Sequence, residues 1–167
     1  MGRVIELELF SEKHIPDVDA MLDDEWARYT RVPEPVPDGF GRTWFERYDA
    51  ARAEGSREAF AIVEDGEFLG LALVPTINRD TQEAELGYGV AASARGRGVA
   101  TEALRLLTDW AFAQGIVRIE LLISVENTAS QKVAERCGYV LEGVLRNTYL
   151  KPGRREDTQI WSRLATD

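Results

Sequence analysis

Cysteine and histidine are almost missing from this chain: its 167 residues include one of each, Cys137 and His14. A lone cysteine excludes an internal disulfide, and the two side chains together are too few for a zinc centre or a Cys/His nucleophile pair. Metal and thiol chemistry are thereby set aside. No apolar run approaches the roughly 18 to 20 residues of a membrane helix, and the N-terminal stretch MGRVIELELFSEK carries charge where a secretory leader has its apolar segment. The expectation is a cytoplasmic protein without a membrane partner. Positive charge is also in deficit, with 20 Lys and Arg against 29 Asp and Glu and a net charge of −9. Contacts that neutralise phosphates therefore lack a general source, which argues against nucleic acid as a partner. Repeats, low-complexity tracts and interdomain linkers are lacking too, since the one proline-rich run, Val32 to Pro37, is short enough to be a loop. What is present, 44% hydrophobic residues over this length, suits a single domain spanning 1–167.

Hydrophobic periodicity then gives an order of elements. Arg3 to Phe10 alternates as a strand, and Ser11 can cap a helix from about Glu12 to Asp24. Phe40, Trp44, Tyr48 and Ala51 share a face of a second helix that ends near Gly55. Phe60 to Glu64 and Glu67 to Val74 flank Asp65-Gly66, a type I′ hairpin signal, and Glu83 to Val90 alternates as the next strand. Val99 to Ala113 reads as a helix stopped by Gly115, Arg118 to Val125 as a strand, and Thr128 to Cys137 as a helix stopped by Gly138. Tyr139 to Leu150 and Arg155 to Leu164 close the chain as a strand pair around Lys151-Pro152-Gly153. The order is β α α β β β α β α β β, an α/β (α+β) chain with a mostly antiparallel meander and one βαβ crossover.

One stretch carries chemistry. In Leu86-Gly-Tyr-Gly-Val90-Ala-Ala-Ser-Ala-Arg95-Gly96-Arg97-Gly98-Val99-Ala100-Thr101-Glu102 a strand runs into a Gly/Arg loop and then a helix. Glycine lets backbone approach a ligand closely, and the unpaired N–H groups of a helix's first turn form an anion site, so a pyrophosphate fits there. Arg95 and Arg97 would add mobile positive charge. A Walker loop would need a lysine that this region lacks, and the dinucleotide fingerprint GxGxxG is not completed, because Thr101 follows Gly96 and Gly98 at the decisive spacing. A solvated turn before an ordinary amphipathic helix is the plain alternative.

The loop instead matches [RQ]xxGx[GA], as Arg95-Gly-Arg-Gly98-Val-Ala100 after a strand ending Gly-Tyr-Gly-Val, and so resembles the GNAT superfamily of CoA-dependent N-acyltransferases. The segment from Ile119 through Asn127, Ser130 and Cys137 to Arg146 resembles the RimJ/RimL-like branch. The resemblance implies the GNAT fold: a mixed, mostly antiparallel sheet of about six or seven strands with about four helices, whose central strands splay to form the CoA cleft. It implies acetyl-CoA as co-substrate and no metal. The cradle would be Val90, Arg95, Gly96, Arg97, Gly98, Val99, Ala100 and Thr101, with Asn127 and Ser130 against the pantetheine arm. Gly87 and Gly89 would mark close approach or a bulge.

The implied reaction is direct attack by a primary amine, either a protein N-terminal α-amine or a small molecule, in a ternary complex. By resemblance the Val90 N–H would stabilise the oxyanion, and Ser130 would touch CoA or protonate the departing thiolate. Asn127 is also a natural N-cap. Many relatives carry a tyrosine as acid seven residues after the Asn, where this chain has Ala134, and RimL-like proteins a glutamate where it has Tyr149. Glu83 and Glu85, on one face of the strand leading to Val90, are the candidate bases, with a solvated strand face as the plain reading. Tyr139 reads as core, Cys137 as a small buried side chain and His14 as a surface residue. Trp26, Tyr29, Glu34 and Asp38 would line the acceptor side, although packing also accounts for Trp26 and Trp44. A CoA-binding module with little turnover is the alternative function, and exposed edge strands allow a homodimer.

Overall fold

Asp65 and Gly66 both adopt positive φ, 52° and 81°, which is the turn that the dipeptide predicts. In the computed structural model, which describes residues 2–167, that turn joins β2 (Glu58–Glu64) to β3 (Glu67–Asn78). Around this hairpin runs a seven-stranded sheet that also contains β1 (Ile5–Leu9), β4 (Glu83–Val90), β5 (Arg118–Ser124), β6 (Val140–Lys151) and β7 (Arg154–Leu164). Its spatial order is β1-β2-β3-β4-β5-β7-β6, and every neighbouring pair is antiparallel except β4 and β5.

Five α-helices cover the sheet: α1 (Ile15–Met21), α2 (Asp24–Tyr29), α3 (Phe40–Glu54), α4 (Val99–Ala113) and α5 (Thr128–Arg136). The single helix expected over Glu12–Asp24 is thus a correction. Glu12–His14 forms one 3₁₀ turn, Pro16 occupies the first turn of α1, and Leu22 turns extended at ψ 98°. Asp23 then starts α2 afresh by accepting a hydrogen bond from the Trp26 amide at 3.0 Å. Three helices, not two, follow the first strand. His14 is a second correction, for it is buried at 4% exposure. Its Nδ1 accepts the Ser11 amide at 3.0 Å, and desolvation lowers its pKa.

Two apolar clusters form on opposite faces of the sheet. One joins α4 to Ile62, Ala72, Val74, Leu86, Ile119 and Leu121. The other packs α1, α2 and α3 on Ala59, Leu71 and Leu73. Strand alternation therefore sends Ala84, Leu86 and Tyr88 towards α4, and Glu83, Glu85 and Gly89 towards the other helices. Between these layers β4 becomes the floor of a site.

Candidate active site

Pairing of β4 with β5 stops early. Glu83, Ala84 and Glu85 lie beside Arg118, Ile119 and Glu120, and no further partners follow. On its other edge β4 stays bonded to β3 as far as Ala91, whose amide donates to the Leu69 carbonyl at 2.7 Å. Since backbone groups alternate between the two edges of a strand, the N–H groups of Tyr88 and Val90 point into the gap that β5 leaves. The sheet opens where a ligand's backbone-like arm could pair.

The loop after the gap is held by glycine. Gly96 and Gly98 take φ of 75° and 78°, Gly98 is the N-cap residue of α4, and a Cβ added at either would meet only open space. Gly89 differs, because a Cβ there would run into the Trp26 indole, whose Nε1 donates to the Val90 carbonyl at 3.2 Å. Trp44 meets Trp26 edge to face at 5.8 Å. Gly87 sits beside a register shift in which three steps of β3, Leu73 to Thr76, face two of β4.

A cavity of about 650 Å³ occupies this region. It runs from the α4 N-terminus (Gly96, Gly98, Val99, Ala100, Thr101) along Tyr88, Gly89 and Val90 to Asn127 and Ser130 on α5. Arg95 also lines it, held by Asp23 at 3.0 Å and Glu25 at 2.6 Å. Arg97 lies outside the lining and donates to Glu64 at 2.7 Å. Asn127 accepts the Ser130 amide at 3.2 Å, so it caps α5 while facing the cavity. Two cations on successive turns of α5, Lys132 and Arg136, complete the wall. Their i,i+4 spacing was legible in the sequence, but which face of α5 looked inward was not.

Comparison with known proteins then decides the family. The domain model described as acetyltransferase (GNAT) domain matches residues 5–140. The chain belongs to the acetyltransferase (GNAT) family. It is 28% identical over 145 residues to an uncharacterised N-acetyltransferase, p20, of Bacillus licheniformis, a match covering 85% of this chain and 82% of that protein. Two Bacillus subtilis relatives are matched over 57% and 58% of their own length. Among solved structures, a RimL ribosomal L7/L12 α-N-protein acetyltransferase in complex with coenzyme A superposes with a TM-score of 0.87 at 24% identity, covering 96% of this chain and 93% of that one. The Vibrio cholerae spermidine N-acetyltransferase in complex with CoA and spermine gives 0.84 at 21%, over 97% and 96%. These likenesses establish the GNAT fold, and the family makes the reaction class acetyl-CoA-dependent N-acetyl transfer.

Within this GNAT site the structure supplies a hydroxyl pair that sequence reading missed. The Tyr88 phenol lies 2.9 Å from Ser130 Oγ, and burial raises its pKa. Ala134, seven residues after Asn127, is fully buried, so a phenol there would have to displace core. Here the phenol reaches Ser130 from β4, the opposite wall. The signal was present in Gly87-Tyr88-Gly89, where an aromatic between two glycines has no flanking side chains to pack with, yet only the fold shows what it meets. Tyr139 is buried against Thr108, with the two hydroxyls 2.7 Å apart, and Cys137 is buried beside the Thr101 carbonyl.

The two carboxylates part company. Glu83 is half exposed and lies 3.8 Å from Arg118, which also binds Glu120 and Glu142 at 2.7 Å each. Glu85 is partly buried, and desolvation raises its pKa against the opposing pull of Arg31. Tyr149, at 60% exposure, projects from β6 with the Arg155 guanidinium over its ring. Among the described residues no three His, Cys, Asp or Glu side chains are grouped to hold a metal ion, and no helix is long and apolar enough to cross a membrane.

Proposed function

We propose that this chain transfers acetyl from acetyl-CoA to a primary amine by direct attack in a ternary complex, the acceptor being a protein N-terminal α-amine or a small polyamine-like molecule. The open edge of β4 beyond Glu85, leading to the α4 N-terminus, carries this reading. Pyrophosphate would lie on the amides of Gly96 to Thr101, with Arg95 exchanging its carboxylate partners for phosphate oxygens. Arg97, and Lys132 and Arg136 from α5, would supply further positive charge. The pantetheine arm would pair with the β4 edge between Tyr88 and Asn127.

In the reaction the amine nitrogen attacks the thioester carbon and the oxygen becomes an oxyanion facing the Val90 N–H. The C–S bond then breaks with the Ser130 hydroxyl, 2.9 Å from the Tyr88 phenol, hydrogen-bonded to the departing sulfur, and the thiolate takes its proton from solvent. A thiol pKa of about 8.5 makes the thiolate a ready leaving group, so no strong acid is required. The amine's own proton leaves towards Glu85. At about 3.3 Å per strand residue, Glu85 stands about 17 Å along β4 from Val90, so water must carry the proton between them. Glu83 is two residues farther and already bound to Arg118, which makes Glu85 the better base.

The reading also includes a homodimer: β6 is one of the two edge strands of the sheet and exposes Val140, Leu141, Val144 and Leu145. Sedimentation at monomer mass would remove that part. The reaction itself is tested by thiol release from acetyl-CoA with spermidine and with a peptide starting in serine. Amine-dependent release is expected with at least one of them. CoA binding without release for any amine would leave a CoA-binding module, and no CoA protection against thermal unfolding would overturn the cradle itself.

A further inference from the structure

Lys151, the last residue of β6, is only 5% exposed. Lysine is almost never so buried unless its charge is paired, and here one segment does all the pairing. The ammonium donates to the carbonyl of Ala27, to the carbonyl of Val32 at 2.7 Å and to the Glu34 carboxylate at 2.8 Å. Its three donors are thus fully used. The Ala27 carbonyl is one of the last-turn acceptors that α2 cannot satisfy internally. Across the Pro152-Gly153 turn, Arg154 adds a bond to the Arg28 carbonyl at 2.9 Å and lies 3.6 Å from Glu34.

The segment so gripped, residues 27–34, carries functional side chains. Tyr29 and Thr30 line the cavity, and the charge of Arg31 acts on Glu85. None of the Lys151 bonds reaches the Gly96–Thr101 loop. The tip of the β6–β7 hairpin, remote in sequence, therefore fixes one wall of the site directly and meets the phosphate cradle only at second hand, through the α2 residues Asp23 and Glu25 that hold Arg95.

We infer that Lys151 is a positioning residue for the acceptor side of the reaction, setting where residues 27–34 stand over the open β4 edge. The inference rests on the acetyl-transfer reading above. Lys151→Met keeps the apolar stem and removes the donors. With the better of spermidine or the serine peptide as acceptor, KM should rise about ten-fold while the Kd for CoA stays within about three-fold. A purely structural role would not separate the two. Glu85 is faced by the cations Arg31 and Arg57, the carboxylate of Glu120 and the Tyr48 phenol, so withdrawing Arg31 should move the acidic limb of kcat/KM to higher pH. Lys151→Arg should recover most of the KM.

If Lys151→Met does not fold, Glu34→Gln tests the same contact more gently, with an acceptor KM about three-fold higher at unchanged CoA affinity. Unchanged acceptor KM in the folded variant, or equal losses towards acceptor and CoA, would overturn the inference. Should the wild type bind CoA yet release no thiol, the functional reading falls on its own. Amide hydrogen exchange over residues 29–34 then decides this one: faster exchange in Lys151→Met supports it, and unchanged protection overturns it.

Discussion

The proposed donor and acceptor sides of this acetyltransferase are built from different materials. The donor side is mostly backbone: two glycines at positive φ, the first turn of α4 and the free edge of β4, contiguous between Tyr88 and Thr101. The acceptor side is side chains drawn from α2, the loop after it, β4, β5 and the β6–β7 hairpin, with Lys151 tying segments more than a hundred residues apart. A backbone cradle tolerates little variation and recurs wherever a pyrophosphate must be held. A wall of side chains can change residue by residue, which is why the family fixes the donor and leaves the acceptor open.

The sharpest way to break this contrast is Gly98→Glu, which places a side chain with charge and bulk in the cradle at φ 78°. CoA affinity should fall by more than about 100-fold, read by calorimetry, with the fold kept because nothing packs on that position. Next comes Glu85→Gln, for which kcat should drop about 100-fold at neutral pH while CoA binds normally; an unchanged kcat would remove Glu85 as base. Smaller is the hydroxyl pair, where Ser130→Ala and Tyr88→Phe should each lower kcat about ten-fold, and the double variant little further if the two act as one unit. A full multiplicative loss in the double variant would separate them.

The smallest effect sharpens the electrostatics. Burial raises the Glu85 pKa, so between its unfolded and folded values the native state binds more protons than the unfolded one, and stability falls as pH rises through that window. Glu85→Gln should therefore raise Tm slightly at neutral pH and leave it unchanged at a pH where Glu85 is protonated in both states. A lower Tm at neutral pH would mean that the charged carboxylate is held favourably.

Local chemistry was legible where one short segment holds both signal and partner. Asp65-Gly66, Gly55 and Gly98 specify backbone conformations that neighbouring residues already demand. The break between α1 and α2 was not, because the apolar spacing of Ile15, Val18 and Leu22 continues a helix that Leu22 and Asp23 interrupt. His14 was misjudged for a related reason: a polar residue near a capping serine reads as surface, and only packing of Phe10 and Phe68 near its ring encloses it.

By itself, then, the sequence determined the order of the strands along the chain, the glycine turns before α4 and the family, since each depends on residues close together in the chain. Tertiary structure alone decided that β5 parts from β4 after Glu85, that Tyr88 rather than residue 134 meets Ser130, and that Lys151 grips the loop after α2. The Tyr88 and Lys151 contacts join residues 42 to 124 positions apart, and no periodicity encodes which distant partner will fill a buried donor's demand.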